Sequence, residues 1–169
     1  MTQTIIKDDL FFHSSHGVCR VSGIQNPRAA QGCSYILSPL ARDRGKARFV
    51  IDREAFEASG FNRLTSPAEG QAVLEYFRTG KSTFKKDTEI WRRAQLIRKE
   101  SLSRTLGADG RKRQEIERAI KGLVKELACV LETPIEEISK KIKDSLSRKA
   151  VMNVVVLNAF LRNEKEESS

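Results

Sequence analysis

Hydrophobic residues follow two different periods along this 169-residue chain. Over residues 1–65, short apolar and β-branched clusters are separated by turns rich in glycine and proline, which is typical of strands. The predicted strands are 10–12, 18–24, 35–37 and 48–51. In the last of these, alternation places Phe49 and Ile51 on one face and Arg48 and Val50 on the other. We therefore expect a small antiparallel β-barrel with one outer face free to meet a partner.

From residue 66 onward the apolar positions take a helical period. Ser66, followed by Pro67 and Glu69, forms a capping box with proline at the first helical position, and Gly80 predicts where this helix ends. A second capping box, in which Thr133 is followed by a proline at the first helical position, predicts another helix. Between them, two further helices are predicted at about 87–106 and 111–131.

The chain is thus predicted to be an α+β protein with two domains. Residues 1–65 form the barrel, residues 66–163 form an all-α helical domain, and the polar residues 164–169 form a frayed tail. The apolar segment 151–161 leaves two alternatives open, since it can prolong the fourth helix or form a separate helix that closes the bundle.

Positive charge is concentrated in the helical half. Lys and Arg outnumber Asp and Glu by 10 to 8 in residues 1–80 and by 19 to 11 in residues 81–149, whereas residues 150–169 carry 2 against 3. This distribution favours a polyanion partner, because cations that neutralise phosphates release condensed counterions. No run approaches the roughly 20 apolar residues of a membrane span, and the start of the chain lacks a signal-peptide pattern. We expect a nucleic-acid partner, no membrane and a cytoplasmic location.

The residues offer little catalytic chemistry. Cys19, Cys33 and Cys129 are odd in number and have no paired spacing, which predicts reduced thiols. His13, His16 and Cys19 lie three residues apart, but no fourth metal ligand follows at a suitable spacing. No phosphate-binding glycine loop and no nucleophile motif are present in the sequence. We therefore expect no enzymatic activity, no metal and no cofactor.

The only tryptophan lies within a cationic segment. Trp91 is one residue away from the apolar stripe of the second helix, so it is expected at the edge of that stripe. Cations flank it at Lys85, Lys86, Arg92, Arg93, Arg98 and Lys99. The pattern leaves two alternatives, a packed core residue or an apolar wedge that cations hold against the minor groove of DNA.

Two more basic clusters follow on the third and fourth helices. Arg111, Lys112 and Arg113 begin the third helix, where the helix dipole disfavours positive charge, so contact with phosphate would explain their placement. The fourth helix carries Lys140, Lys141, Lys143, Arg148 and Lys149. These lysines and this arginine form either a solvated face or a further DNA contact.

Three segments resemble the CarD/CdnL family of bacterial transcription regulators. The segment "DLFFHSSHGVCRVSGIQ" is similar to the opening of that family, which has an apolar strand, a His-Gly turn and a Val-rich strand ending in Gly-Ile. The resemblance continues through "FVIDREAFEASGFNRLTSPAEGQAVLEYFR" and through "WRRAQLIRKESL", where the family has a tryptophan followed by a basic helix. It covers about residues 8–149.

The resemblance implies a Tudor-like N-terminal domain that docks on the β subunit of bacterial RNA polymerase, and a helical domain that contacts promoter DNA without sequence preference. The family's tryptophan wedges into the minor groove at the upstream edge of the melted bubble and stabilises the open complex. Trp91 matches that tryptophan, with Arg92 and Arg93 matching neighbouring DNA-contacting cations. The resemblance therefore implies a monomeric, non-catalytic regulator that associates with the nucleoid through the polymerase. It also favours an exposed Trp91.

The family's other contacts carry over with departures. Arg28 lies one residue from one polymerase-contacting arginine, and the second falls at Val50, with Arg48 two residues earlier on the same strand face. One basic position of the family's helical domain falls near an acidic residue here, which moves the implied DNA contact to Lys140 or Lys141.

A function of another class stays open on the residues alone. The chain can be a protein-interaction adaptor whose barrel binds one protein and whose basic helices bind a second protein or RNA. The scarcity of aromatic residues in the basic half disfavours stacking on single-stranded bases.

Overall fold

The chain divides into two units, which are Met1–Leu64 and Thr65–Ser169. A computed structural model describes residues 4–13, 15–28, 31–40, 46–82, 88–103, 110–148 and 152–167. The first unit holds a five-stranded antiparallel sheet, and the second holds five helices. The chain is therefore an α+β protein, and its division lies one residue before the predicted boundary.

The sheet unit is built from strands β1 (Leu10–His13), β2 (Gly17–Gln25), β3 (Ser34–Pro39), β4 (Phe49–Asp52) and β5 (Asn62–Arg63). Their order is β4-β3-β2-β1-β5, and every neighbouring pair is antiparallel. Among the described residues, β4 and β5 do not pair with each other, so the sheet is open where the sequence pattern predicts a closed barrel. The two residues of β5 offer few backbone hydrogen bonds for closure.

The alternation predicted for β4 is confirmed. Phe49 and Ile51 are half-buried and pack against the core, whereas Arg48 and Val50 are exposed. The core of this unit consists of buried aromatic, aliphatic and cysteine side chains, namely Phe11, Cys19, Val21, Cys33, Tyr35, Leu37, Phe56 and Phe61. One face of the sheet therefore supplies the core, because side chains alternate between faces along each strand.

The helical unit consists of α1 (Pro67–Thr79), α2 (Glu89–Ser101), α3 (Gly110–Val130), α4 (Ile135–Ser147) and α5 (Val154–Glu167). Half of the predicted capping box of α1 is confirmed, because the Ser66 hydroxyl accepts a hydrogen bond from the Glu69 amide at 3.2 Å, whereas the Glu69 carboxylate accepts from Thr65 and Trp91. Gly80 ends α1 in the left-handed conformation, with φ at 74°. Helix α2 ends earlier than predicted, and the predicted helical positions 87 and 104–106 lie outside the described residues.

The second predicted capping box is wrong. Pro134 itself takes the N-cap position of α4, and no side chain caps that helix. The Thr133 hydroxyl instead donates a hydrogen bond to the Leu131 carbonyl oxygen at 3.0 Å. This local bond at the end of α3 uses the side chain that the sequence pattern assigns to the next helix.

The apolar segment near the C-terminus forms a separate helix, which decides between the two alternatives. Helix α5 contacts α3 and α4 and buries Val156 and Phe160 in the helical core. The prediction of a frayed tail is wrong for residues 164–167, which continue α5. Glu164 accepts a hydrogen bond from the Ser139 hydroxyl at 2.9 Å and pairs with Lys143. The predicted tail residues 168 and 169 lie outside the described part of the chain, in which no helix is long and apolar enough to cross a membrane.

Candidate nucleic-acid interface

Trp91 lies inside the helical core, so the prediction of an exposed ring is wrong. Its side chain is 0% exposed. The ring meets Tyr76 edge-to-face with the centroids 5.5 Å apart, and the indole N–H donates to Glu69 Oε1 at 3.1 Å. Helix α2 contacts α1, α3 and α5, so neighbours also cover the position beside its apolar stripe. The helical period locates that stripe but does not determine how many helices surround it.

A chain of polar contacts runs beneath Trp91. Besides the indole N–H, Glu69 accepts a hydrogen bond from the Thr65 hydroxyl at 2.8 Å. The Thr65 amide donates to Glu126 Oε1 at 3.1 Å, and Arg93 Nη1 donates to Glu126 Oε2 at 3.3 Å. Both the tryptophan and Arg93, two of the predicted DNA contacts, are therefore bonded to buried or half-buried groups of their own unit.

Arg93 points inward rather than toward solvent. Its side chain is 7% exposed, and its second partner is Glu89, with Nη2 and Oε1 3.5 Å apart. Gly122 of α3 lets the guanidinium approach the helix backbone, because a Cβ there would lie 3.3 Å from the Arg93 Cζ atom. In this conformation Arg93 is not available to a phosphate, because it pairs with the buried Glu126 and the partly exposed Glu89.

Burial also controls the titration of the carboxylate that Arg93 contacts. Removal from water raises the pKa of Glu126 to about 7 from its ordinary value of 4.5, although the Thr65 amide and the Arg93 guanidinium both act to lower it. Glu126 therefore binds its proton more tightly in the folded protein than in the unfolded chain.

The stability of the helical unit is expected to fall as the pH rises from about 4.5 to about 7. Because the folded-state pKa of Glu126 lies above the unfolded value, folding takes up a proton in this window. The cost of ionising the buried carboxyl is absent below this window and complete above it, where it amounts to about 3 kcal/mol. Urea titrations followed by Trp91 fluorescence at about pH 5 and about pH 8 measure it.

The Glu126→Gln variant isolates this contribution, because glutamine keeps the acceptor for Thr65 and does not titrate. Relative to the variant, the wild type should lose stability between the two pH values. The control is Gln95→Ala, a change at an exposed residue without an ionisable group, for which the difference from wild type should stay constant. A constant difference for Glu126→Gln as well would contradict the raised pKa.

The other predicted cations of α2 divide by exposure. Arg92 and Lys99 are exposed and lie two turns apart on one side of the helix. Arg92 approaches Glu89 at 4.0 Å, an exposed ion pair of a kind that contributes little. Arg98 is half-buried, with its guanidinium 5.5 Å from the centre of the Tyr76 ring and close to Gly80. Arg98 therefore packs against α1, while Arg92 and Lys99 face solvent.

The start of α3 is held against the end of α2 by an ion pair. Lys112 Nζ lies 3.2 Å from a Glu100 carboxylate oxygen and 3.5 Å from one of Glu115. Its sequence neighbours Arg111 and Arg113 are exposed. Lys112 is neutralised within the unit, so the cations that face solvent along α2 and the start of α3 are Arg92, Lys99, Arg111 and Arg113. We refer to these four residues as the α2–α3 cationic group.

Helix α4 carries cations that are largely paired along its length. Lys141 pairs with Glu137 at 2.9 Å, and Lys143 pairs with Glu164. Lys140 and Arg148 are exposed. The solvated-face alternative fits Lys141, which is exposed and pairs along its own helix, whereas Lys143 is half-buried against α5. Lys140, which is exposed, stays a predicted DNA contact. The flanking cations Lys85 and Lys86 and the fourth-helix cation Lys149 lie outside the described residues.

The predicted polymerase contacts lie at the surface of the sheet unit. Arg48 is exposed just before β4, and Val50 within β4 is 60% exposed. Arg28 is exposed in the turn that follows β2. Because β4 is at one end of the strand order, one of its edges carries no neighbouring strand in the described part of the sheet.

The histidine and cysteine cluster considered for a metal packs as an aromatic stack. The rings of His13 and His16 are stacked at 4.4 Å, and His16 stacks on Phe49 at 4.2 Å. The Cys19 thiol lies in the core and points to the Gly17 carbonyl oxygen at 3.9 Å. Within the described ranges, no group of three or more His, Cys, Asp or Glu residues is arranged to hold a metal ion.

Sequence reasoning missed the carboxylates that hold Trp91 and Arg93. The sequence pattern predicts a capping role for Glu69, whereas its carboxylate accepts hydrogen bonds from Trp91 and Thr65. Glu126 lies three residues after Leu123 on the buried stripe of α3. An acidic residue at an apolar position of a helix is a usable signal, because a buried carboxylate needs a partner.

No family model matches the chain, and no curated protein matches it either. The role of the α2–α3 cationic group therefore rests on its own exposure and charge.

Proposed function

We propose that this chain is a non-catalytic transcription regulator that docks on the β subunit of bacterial RNA polymerase and stabilises the promoter open complex. Its sheet unit, as a Tudor-like domain, would bind the polymerase, and its helical unit would hold promoter DNA. The resemblance to the CarD/CdnL family motivates the partners. The α2–α3 cationic group is the observation that carries the DNA contact.

The chemistry of this group suits a phosphate backbone. Its four side chains are exposed, and Arg111 and Arg113 lie at the start of α3, where the helix dipole itself favours an anion. The ion pair that Arg92 makes with Glu89 is exposed and easily exchanged for phosphate. Contacts of this kind fix DNA without reading its sequence.

The outer strand of the sheet supports the docking step. Strand β4 presents an edge without a neighbouring strand, an exposed Val50 and an adjacent Arg48. An edge strand offers backbone N–H and C=O groups to an extended segment of another protein, and side chains beside it add specificity.

In this proposal Trp91 stabilises the helical core and does not insert into DNA as a wedge. Inserting its ring between base pairs would require withdrawing a fully buried indole from the core and breaking its bond to Glu69. We therefore assign the hold on DNA to the exposed cations. The adaptor alternative is favoured by the same burial, because it needs no wedge.

The Arg92→Gln/Lys99→Gln variant is expected to lose most of the effect of the wild type on the open complex. The measurement is the lifetime of the open complex on a ribosomal-type promoter with purified bacterial RNA polymerase, which the wild type should lengthen. Removing two phosphate contacts should also reduce the slope of log affinity for duplex DNA against log salt concentration by about 2.

The matched control is Arg78→Gln/Arg162→Gln, which removes the same charge from exposed arginines of α1 and α5. It should keep the lifetime of the wild type. If both double variants shortened the open-complex lifetime equally, the effect would depend on the net charge of the protein and not on a specific site. A wild type that leaves the lifetime unchanged would favour the adaptor over the polymerase regulator.

A further inference from the structure

The sheet unit contains a cavity of about 640 Å³ that the proposed function does not use. Its aromatic lining consists of Phe11, Tyr35, Phe56 and Phe61. Phe56 meets Phe11 edge-to-face at 5.0 Å and Tyr35 at 5.3 Å, so these rings support one another from the core side. The volume lies in the range of about 300 to 1,000 Å³ that is common for binding pockets.

One cation at this cavity, Arg53, is oriented by a hydrogen bond. Arg53 Nε donates to the Tyr35 hydroxyl at 3.3 Å, which directs the guanidinium along the cavity wall. Across the described part of the chain, no carboxylate forms an ion pair with Arg53. Arg63, which also lines the cavity, differs because it pairs with Asp9 at 3.2 Å and covers the Phe11 ring. Arg53 is therefore the cation open to an incoming anion.

An open strand edge borders the same cavity. Asn62 and Arg63 form β5 and also line the cavity. Strand β5 pairs with β1 on one side, and no described strand pairs with its other side. An extended peptide added there would direct alternate side chains to one face, as in β-strand addition.

We propose that this cavity is a docking site for an extended acidic segment of a partner protein. An aromatic side chain of the segment occupies the cavity against Phe56 and Phe61, and a carboxylate two residues away pairs with Arg53. The spacing is two because residues at i and i+2 of a strand share a face. The open edge of β5 favours a peptide over a free small acid, which would leave the edge unused. The site shares no residue with the contacts of the proposed function, so the two proposals can be tested independently.

The test uses the full chain and the probe peptide acetyl-Thr-Phe-Thr-Glu-Thr-amide, with binding followed by amide chemical shifts in two-dimensional NMR. Saturable shifts are expected at residues 61–63 and in the 3₁₀ turn Arg53–Ala55. Replacing the probe's glutamate with glutamine, or its phenylalanine with alanine, should weaken binding about tenfold, because each removes one of the two anchors.

Two substitutions at the cavity should change affinity in opposite directions. Arg53→Gln should lower the affinity for the glutamate probe about tenfold and leave the affinity for the glutamine probe unchanged. Glu57→Gln should strengthen the glutamate probe, because Glu57 is the exposed carboxylate that lines the same cavity. The control is Arg20→Gln, which removes an exposed cation of β2 that does not line the cavity.

Several outcomes would overturn the proposal. One is the absence of saturable shifts at residues 61–63 at millimolar probe. Others are equal affinities for the glutamate and glutamine probes, or an equal loss for Arg20→Gln and Arg53→Gln. Binding of free 3-phenylpropionate with no binding of the peptide would assign the cavity to a small acid and would also reject peptide docking.

Discussion

Replacing Trp91 with alanine is expected to lower the free energy of unfolding of the helical unit by about 3–5 kcal/mol. The ring is fully buried, so truncation leaves a large cavity among α1, α2 and their neighbours. It also leaves Glu69 without the indole donor. Urea unfolding followed by circular dichroism at the helical band measures this loss of stability, because the variant has no tryptophan whose fluorescence could be followed.

Two further variants separate folding from contact with DNA. Arg92→Ala alters the exposed neighbour and should change stability by less than about 0.5 kcal/mol. Trp91→Phe keeps most of the ring but loses the N–H donor, so a cost of about 1–2 kcal/mol is expected, with the effect on the open complex retained. A Trp91→Ala protein with the stability of the wild type but no effect on the open complex would instead support a presented wedge.

Replacing Arg93 with methionine is expected to destabilise the helical unit by about 3–5 kcal/mol at pH 8. Methionine keeps much of the volume but leaves Glu126 buried without its cation. Trp91 fluorescence is a suitable probe for urea unfolding, because the only tryptophan lies in this unit. The control is Arg92→Met, an exposed position one residue away, where the change should be small.

The cost of Arg93→Met should depend on pH. Burial already raises the pKa of Glu126 to about 7, and loss of the guanidinium raises it further. At about pH 5 the carboxyl is protonated in the folded variant, so the missing charge matters less and the cost should shrink. The double variant Arg93→Met/Glu126→Gln should recover part of the loss at pH 8, because no buried charge is left unpaired. An equal cost at both pH values would indicate that lost packing, not charge, is responsible.

These expectations change how a tryptophan variant is interpreted. Loss of activity in Trp91→Ala would follow from unfolding alone, so it cannot establish a wedge. Variants of the α2–α3 cationic group avoid this problem, because exposed side chains can change without disturbing the core.

Local sequence signals identified most of the elements. Ser66, Pro67 and Gly80 delimit α1 because capping and left-handed backbone are properties of a few adjacent residues. The alternation in β4 is likewise local, and it separates Phe49 from Val50 as predicted. The similar signal at Thr133 failed, because its hydroxyl had a nearer acceptor at the end of α3.

The sequence by itself determined the α+β class, the approximate division near residue 65, the core stripes of the helices and the excess of cations in the helical half. The tertiary structure alone decided that Trp91 and Arg93 turn inward, that Lys112 and Lys143 are neutralised by Glu100 and Glu164, and that β4 and β5 do not pair among the described residues. The reason is physical. Periodicity follows from the geometry of a single helix or strand, whereas burial and ion pairing depend on neighbours distant in the chain, such as Glu69 for Trp91 and Glu126 for Arg93.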